Sequence, residues 1–252
     1  MKELGDFAFS CCETVQEVIL PDSIKTIGAD CFYYCKNLKK MVIPEGVTYL
    51  YSTFIGCENL TSVSLPESLS RIGWETFKDC KSLKKIAIPD HVMEIGKQAF
   101  SGCDNLREIQ FSKELKRIEK EAFKKCKKLK RIKIPDGVFC IEQRAFEGCS
   151  ALNKVTLPND LYRIEAGTFK NCTSLKQLQI PSDVEKIETQ AFFNCKKLKK
   201  IKFKGANLDY VAQDAIKGIH KKAILDVPKK AVKKHRKIFR KATGFKSTMT
   251  VA

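Results

Sequence analysis

Twelve cysteines, three histidines, and 47 lysines and arginines set against 29 aspartates and glutamates are the side chains of this 252-residue chain with chemistry to offer. Cysteines in that number can build a disulfide framework or, with histidines, hold zinc, and a net charge of +18 can attract nucleic acid or another polyanion. Position separates these readings. No Cys-x-x-Cys pair occurs, and His91, His220 and His235 lie far in sequence from any cluster of cysteines, so the ligand spacing of a zinc centre is missing. There is no nucleophile elbow and no phosphate-cradling glycine loop. Glu119, Glu142, Glu165 and Glu188 recur at one position of a repeat, unlike an isolated acid and base. The sequence therefore offers no catalytic residue, no metal ligand and no cofactor site, and reads as that of a non-enzyme.

Nine of the cysteines keep a period. Cys12, Cys35, Cys57, Cys80, Cys103, Cys126, Cys149, Cys172 and Cys195 are 23 residues apart, except for a step of 22 from Cys35 to Cys57, and each follows a phenylalanine by three residues, from Phe9 to Phe192. Apolar residues recur at the third, sixth and eighth positions after each cysteine, as in Leu83, Ile86 and Ile88, and the last two alternate in the period of a strand. A proline usually stands at the ninth position, where its missing N–H ends the strand, and two more apolar residues follow, as in Val92 and Ile95. One such unit is too small to bury a core, whereas stacked copies superpose like positions into a continuous one. This predicts a solenoid with one strand per unit in a parallel sheet, a short return strand at the second apolar pair, and a tight turn or single helical turn at Ala-Phe-x-x-Cys.

The unit resembles that of the BspA-like leucine-rich repeats: Ile88-Pro89, Val92, Ile95, Gly96, Ala99, Phe100, Cys103 and Leu106 match it position by position. The resemblance implies a leucine-rich-repeat solenoid, β-rich with short turns or helical turns on the opposite wall, in a secreted or cell-surface microbial protein that adheres to or binds other proteins. Residues 1–204 are the expected solenoid, opening in mid-repeat at Leu4, Phe7 and Phe9, and residues 205–252 a degenerate last repeat with a basic cap. The cap is expected to contain a helix from Lys229 to Thr243, with Val232, His235 and Phe239 on one stripe and Gly244 as its stop, and then a last strand within Phe245 to Val251. The opening residues Met1 to Asp6 lack the apolar core of a secretory signal. Apolar runs such as Val18-Ile19-Leu20 fall far short of the roughly twenty residues of a membrane span.

Charge and exposure are uneven along this frame. Residues 1–110 carry 12 basic and 15 acidic side chains, residues 111–195 carry 17 and 11, and residues 196–252 carry 18 and 3. The fifth and seventh positions after each cysteine should face away from the core on the exposed side of the curved sheet. They form the candidate binding face: Glu17, Lys40, Ser62, Ser64, Lys85, Glu108, Gln110, Arg131, Lys133, Lys154, Thr156, Gln177, Gln179, Lys200 and Lys202, beside the apolar Ile19, Val42 and Ala87. The expected partner is a protein or glycan of acidic character, bound by a monomer. Nucleic acid is disfavoured, because no recognition helix, zinc finger or aromatic-lined basic groove is present. Two alternatives stand beside this: a structural spacer in a larger surface protein, and polyanion binding by the basic cap.

Two further groups fall outside the repeat. Tyr33, Tyr34, Tyr49, Tyr51 and Trp74 occupy variable outward positions and could anchor an interface, with Phe139 and Tyr162 as a smaller pair. Among the off-period cysteines, Cys31 replaces a small inward residue and should be buried. Cys140 sits in an outward column with Tyr49, Arg71, Glu94, Arg117 and Arg163 and is expected to be the most reactive thiol.

Overall fold

The computed structural model describes residues 1–252 and shows a parallel β-solenoid of about eleven turns. One wall is the main sheet, built from short strands such as Lys85–Ala87, Glu108–Gln110, Arg131–Lys133, Lys154–Thr156, Gln177–Ile180 and Lys200–Phe203, paired in parallel at one coil per step. A second wall is the return ladder: Tyr49–Leu50, Arg71–Ile72, Glu94–Ile95, Arg117–Ile118 and Cys140–Ile141 form one continuous parallel run. The strands are only two to four residues long because each coil must turn again after two or three inward side chains. The leucine, isoleucine and phenylalanine columns close on one uninterrupted core of 72 buried residues, from Leu4 to Val251.

The third wall carries Phe-x-x-Cys and contains no helix. Its backbone alternates between right- and left-handed conformations. In the coil around Phe100, Gln98 and Gly102 have φ of 56° and 76°. As a result, alternate N–H groups point out of the coil: Gln98, Phe100 and Gly102 donate to the carbonyls of Lys120, Ala122 and Lys124 at 3.0, 2.8 and 2.8 Å. The intervening N–H groups of Ala99, Ser101 and Cys103 close tight turns within the coil onto Gly96, Gln98 and Phe100. Both sets of backbone donors are thereby satisfied without secondary structure of their own.

Inside this wall the phenylalanine rings stack from Phe9 to Phe192, with centroids 5.2–5.8 Å apart and planes within 14° of parallel. The offset that a 5.2–5.8 Å centroid distance implies is the arrangement aromatic quadrupoles favour. The cysteine column is more than small apolar filler. From Cys35 to Cys195 each thiol donates to the carbonyl of the phenylalanine one coil back, at 2.9–3.2 Å, as Cys103 Sγ does to Phe77 O. The same Phe77 carbonyl also accepts from the N–H of Cys80 in its own coil.

After Pro228 the chain makes a 3₁₀ turn, Lys229–Ala231, and a helix α1, Val232–Phe239, that seals the last coil. The helix is shorter than the sequence suggests because the chain must double back. Thr243 donates to Gln213 O from its N–H and its hydroxyl, and Gly244 rests directly on Ile216, where a Cβ would come within 2.4 Å of backbone. Only Thr250–Val251 of the expected last strand forms, parallel to Ile224–Leu225. His235 faces inward as expected. It is fully buried, edge-on to Phe203 with centroids 5.6 Å apart, and neither ring nitrogen has a hydrogen-bond partner. Burial pushes its imidazole below the ordinary range, against a smaller upward pull from the Ala206 backbone.

Cys31 is buried as expected, and burial raises its thiol pKa to about 11. The expectation for Cys140 needs correcting. Its column does face outward, but the short thiol sits beside Arg117 of the neighbouring strand, is only half exposed, and is raised in pKa by burial. The exposed thiol is Cys11. Pulse alkylation of the folded protein should modify Cys11 first and Cys140 much more slowly, with Cys57 to Cys195 of the period protected until denaturant unfolds the stack; fast labelling of Cys126 would break the inward-column assignment. The second expectation concerns pH. The unfolded chain takes up a proton on His235 near its ordinary pKa of about 6.5, whereas the folded cap resists it, so stability falls as pH drops through that value toward the lower folded pKa. The melting temperature of the parent relative to His235→Leu should therefore decline on going from about pH 7.5 to about pH 5.5; a difference independent of pH contradicts a buried neutral ring.

Candidate functional site

Strand alternation sends the sixth and eighth residues after each cysteine inward and the fifth and seventh outward. Every residue of the candidate face is exposed except Ser62, which is half buried. The pairing Lys40 to Ser62, Lys85 to Glu108, Arg131 to Lys154 and Gln177 to Lys200 sets the first column in register, and Lys133 to Thr156 and Gln179 to Lys202 set the second. With each coil step near 4.8 Å, the whole face is too long to act as one pocket. Two shallow depressions hold most of the candidate residues, and a third between them is lined by Gln110 and Lys133.

The front depression, of about 430 Å³, is lined by Lys40, Ser62, Ser64 and Gln110 together with the apolar Val42 and Ala87 and the acidic Glu67 and Asp90. Its charges are mixed. The rear depression, of about 390 Å³, gathers Lys154, Thr156, Gln177, Gln179, Lys200 and Lys202 over a floor of Val155, Leu157, Leu178 and Pro181. Glu17, Lys85, Glu108, Arg131 and Lys133 line neither. Arg131 and Lys154 continue the rear surface through Asn153 and Lys176.

Electrostatically the rear is one-sided. Asp226 is the acid it meets, pairing with Lys200 at 2.9 Å, and that lysine holds the Asp226 carboxyl below its usual range. Arg131, Lys133, Lys154 and Lys202 have no carboxylate within ion-pair distance. Sequence reasoning missed two members of this surface, Lys176 and Lys204. Lys204 stands where most repeats have their proline, and that exception was the available signal.

The return ladder is the opposite case, because its arginines are paired internally. Arg71 pairs with Glu94 and Glu119 at 3.1 and 3.5 Å, Arg117 with Glu142 at 3.2 Å, and Arg163 with Glu165 and Glu188 at 3.7 and 3.8 Å. Glu119 and Glu142 also accept backbone N–H groups, from Lys97 at 2.8 Å and Lys120 at 3.0 Å. The recurring glutamates therefore tie one coil to another. The five N-terminal aromatics do not gather in one patch either. Tyr33 and Tyr34 pair half buried on the phenylalanine wall, with Tyr34 lying over Gly56, while Tyr49, Tyr51 and Trp74 cluster on the return ladder. No group of three or more His, Cys, Asp or Glu side chains is arranged to hold a metal ion, and no helix is long and apolar enough to cross a membrane.

Comparison with known proteins places this architecture. The family described as BspA type leucine rich repeat region matches in six copies, over residues 2–130, 50–176 and 116–246. No curated protein matches the sequence. Among solved structures, a leucine rich cell surface protein of Faecalibacterium prausnitzii is 26% identical, with 87% of this chain and 69% of that one covered and a TM-score of 0.54. A leucine-rich repeat protein of Bacteroides ovatus is 25% identical over 89% of this chain and 70% of that one, with a TM-score of 0.65. The leucine-rich repeat protein of T. pallidum is 26% identical over 79% and 90%, also with a TM-score of 0.65. A family match running from residue 2 to residue 246, over coils that repeat Phe-x-x-Cys in spatial register, shows that this chain belongs to the BspA type leucine-rich-repeat family.

Proposed function

We propose that the chain is a non-enzymatic binding module of a cell-surface or secreted protein, which takes an acidic stretch of a protein or glycan partner across the rear of its main sheet. Residues 1–204 supply the binding surface and residues 205–252 the seal. The observation that carries this reading is the rear depression, in which Lys154 and Lys202 flank the amides of Gln177 and Gln179, with Arg131 and Lys133 continuing the face beside it, all four cations lacking an internal carboxylate partner. Cations without internal partners attract an anionic ligand over a Debye length, and the glutamines add neutral donors that fix its position without repelling one another. The surface setting is supported by the Faecalibacterium relative, a cell surface protein.

Binding of a polyglutamate peptide and of polygalacturonate chains, each measured across a range of salt concentrations, tests the reading and separates a peptide from a glycan source of the carboxylates. Charge reversal at Arg131, Lys154 and Lys202 together should lower affinity at least about tenfold and flatten its salt dependence. Neutralising Lys230, Lys233 and Lys237 on the cap should leave affinity near the parent value. Retention of affinity by the sheet variant, or its loss in the cap variant, contradicts the proposal in favour of cap-driven polyanion binding; absence of binding to either probe leaves the spacer reading.

A further inference from the structure

The coil between Cys35 and Cys57 is one residue short of the period, and the gap falls at Tyr51. Neighbouring coils pass from the return strand to phenylalanine through Gly28-Ala29 or Gly73-Trp74, whereas Tyr51 alone spans that step. The shortcut is closed by the fully buried Thr53, whose hydroxyl accepts from the Tyr51 N–H at 3.1 Å and donates to the Tyr51 carbonyl at 3.2 Å. One coil on, Gly73 clears the space beneath the rings: a Cβ there would lie 3.0 Å from Tyr51 and 3.3 Å from Tyr49. A deletion, a hydroxyl clasp and a glycine thus combine to bring three aromatic rings together. Tyr49 and Tyr51 have centroids 6.1 Å apart, and Tyr51 and Trp74 5.7 Å apart.

These rings are held, yet open. Trp74 is 47% and Tyr49 42% exposed. The indole Nε1 donates to Glu119 Oε2 at 3.1 Å, and that carboxylate is itself fixed by the Lys97 N–H and by Arg71. The other exposed aromatic pair differs, since the Tyr162 hydroxyl is engaged by Glu185 and its ring is covered by the Arg163 guanidinium, 5.7 Å from the centroid.

The geometry points to a second binding site, in which Tyr49, Tyr51 and Trp74 form a preorganised platform for a neutral pyranose of an oligosaccharide. Two observations select that ligand. Arg71, the cation beside the rings, is paired with both Glu94 and Glu119, which leaves that network one negative charge in excess, so the site has hydrogen-bonding capacity but no free cation to hold an anion. Three rings also offer far less than the roughly 800 Å² per partner of a stable protein interface, whereas one sugar ring can lay its C–H face on the exposed indole and turn its hydroxyls to the rim. The dispersion and quadrupole attraction of such a stack is worth about tenfold in affinity per ring. This site is separate from the rear of the main sheet and does not depend on the function proposed for it.

Trp74 is the only tryptophan in the chain, so its emission reports on the platform directly. Titration with cellohexaose, mannohexaose and laminarihexaose should change that emission saturably for at least one of the three, and Tyr49→Ala should weaken the response about tenfold. Retardation in gels containing the parent polysaccharide should be lost in Trp74→Ala and partly kept in Trp74→Phe. Circular dichroism and protection of the cysteine column would show that each variant is folded. The charge-reversed sheet variant should bind the sugar normally. Unchanged emission with all three sugars, undiminished retardation of Trp74→Ala, or an emission change produced by polyglutamate alone would overturn the assignment.

Discussion

From Phe9 to Phe169 the carbonyl of each repeat phenylalanine accepts two hydrogen bonds, one from the N–H of the cysteine three residues on and one from the thiol of the next coil's cysteine. That shared acceptor is the point on which the stack turns. A tight turn with left-handed residues points carbonyls into an apolar wall, where the N–H of their own coil satisfies one lone pair and the thiol the other, a second bond worth about 0.5–1.5 kcal/mol. Cysteine is small enough to sit beneath a stacked phenylalanine and still carries a donor. Alanine would fit but could not donate, which accounts for the unbroken run of cysteine at a buried position where apolar volume alone would admit several residues.

From this follows the rigidity of the period. Backbone partners lie one coil away on all three walls, so an inserted or deleted residue shifts a whole set of hydrogen bonds unless a local device absorbs it. The chain contains such a device in the short coil at Tyr51, where Thr53 substitutes its hydroxyl for missing backbone contacts. Outward positions carry no such burden. The same register that fixes the core arranges lysines and glutamines into columns on one wall and ion pairs on another, and the difference between those walls lies in whether the cations find carboxylates one coil away.

The period, the inward columns, the two ladders of strands and the C-terminal helix were legible in the sequence because identical side chains at fixed spacing can be buried together in one way. What was not legible depends on neighbours from other coils. Cys140 looked reactive from its column alone, yet burial among its neighbours, Arg117 of the adjacent strand included, limits it. The aromatic residues looked like one patch because they are close in sequence, but left-handed Tyr34 turns with the phenylalanine wall while Tyr51 turns onto the return ladder. The front and rear depressions of the main sheet could not be separated by spacing, since their boundary arises from which residues flank the strands: Glu67 and Asp90 in front, Lys176 and Lys204 behind.

The central claim, that the cysteine column acts as a row of hydrogen-bond donors as well as apolar filler, is tested most directly by denaturant unfolding of Cys103→Ala beside Cys103→Ser. Serine keeps a donor for the Phe77 carbonyl and alanine does not. The account predicts that alanine lowers stability by at least about 0.5–1.5 kcal/mol with an unchanged dependence on denaturant, and that serine recovers a measurable part of that loss. A serine variant no more stable than the alanine variant would contradict it and reduce the column to packing volume.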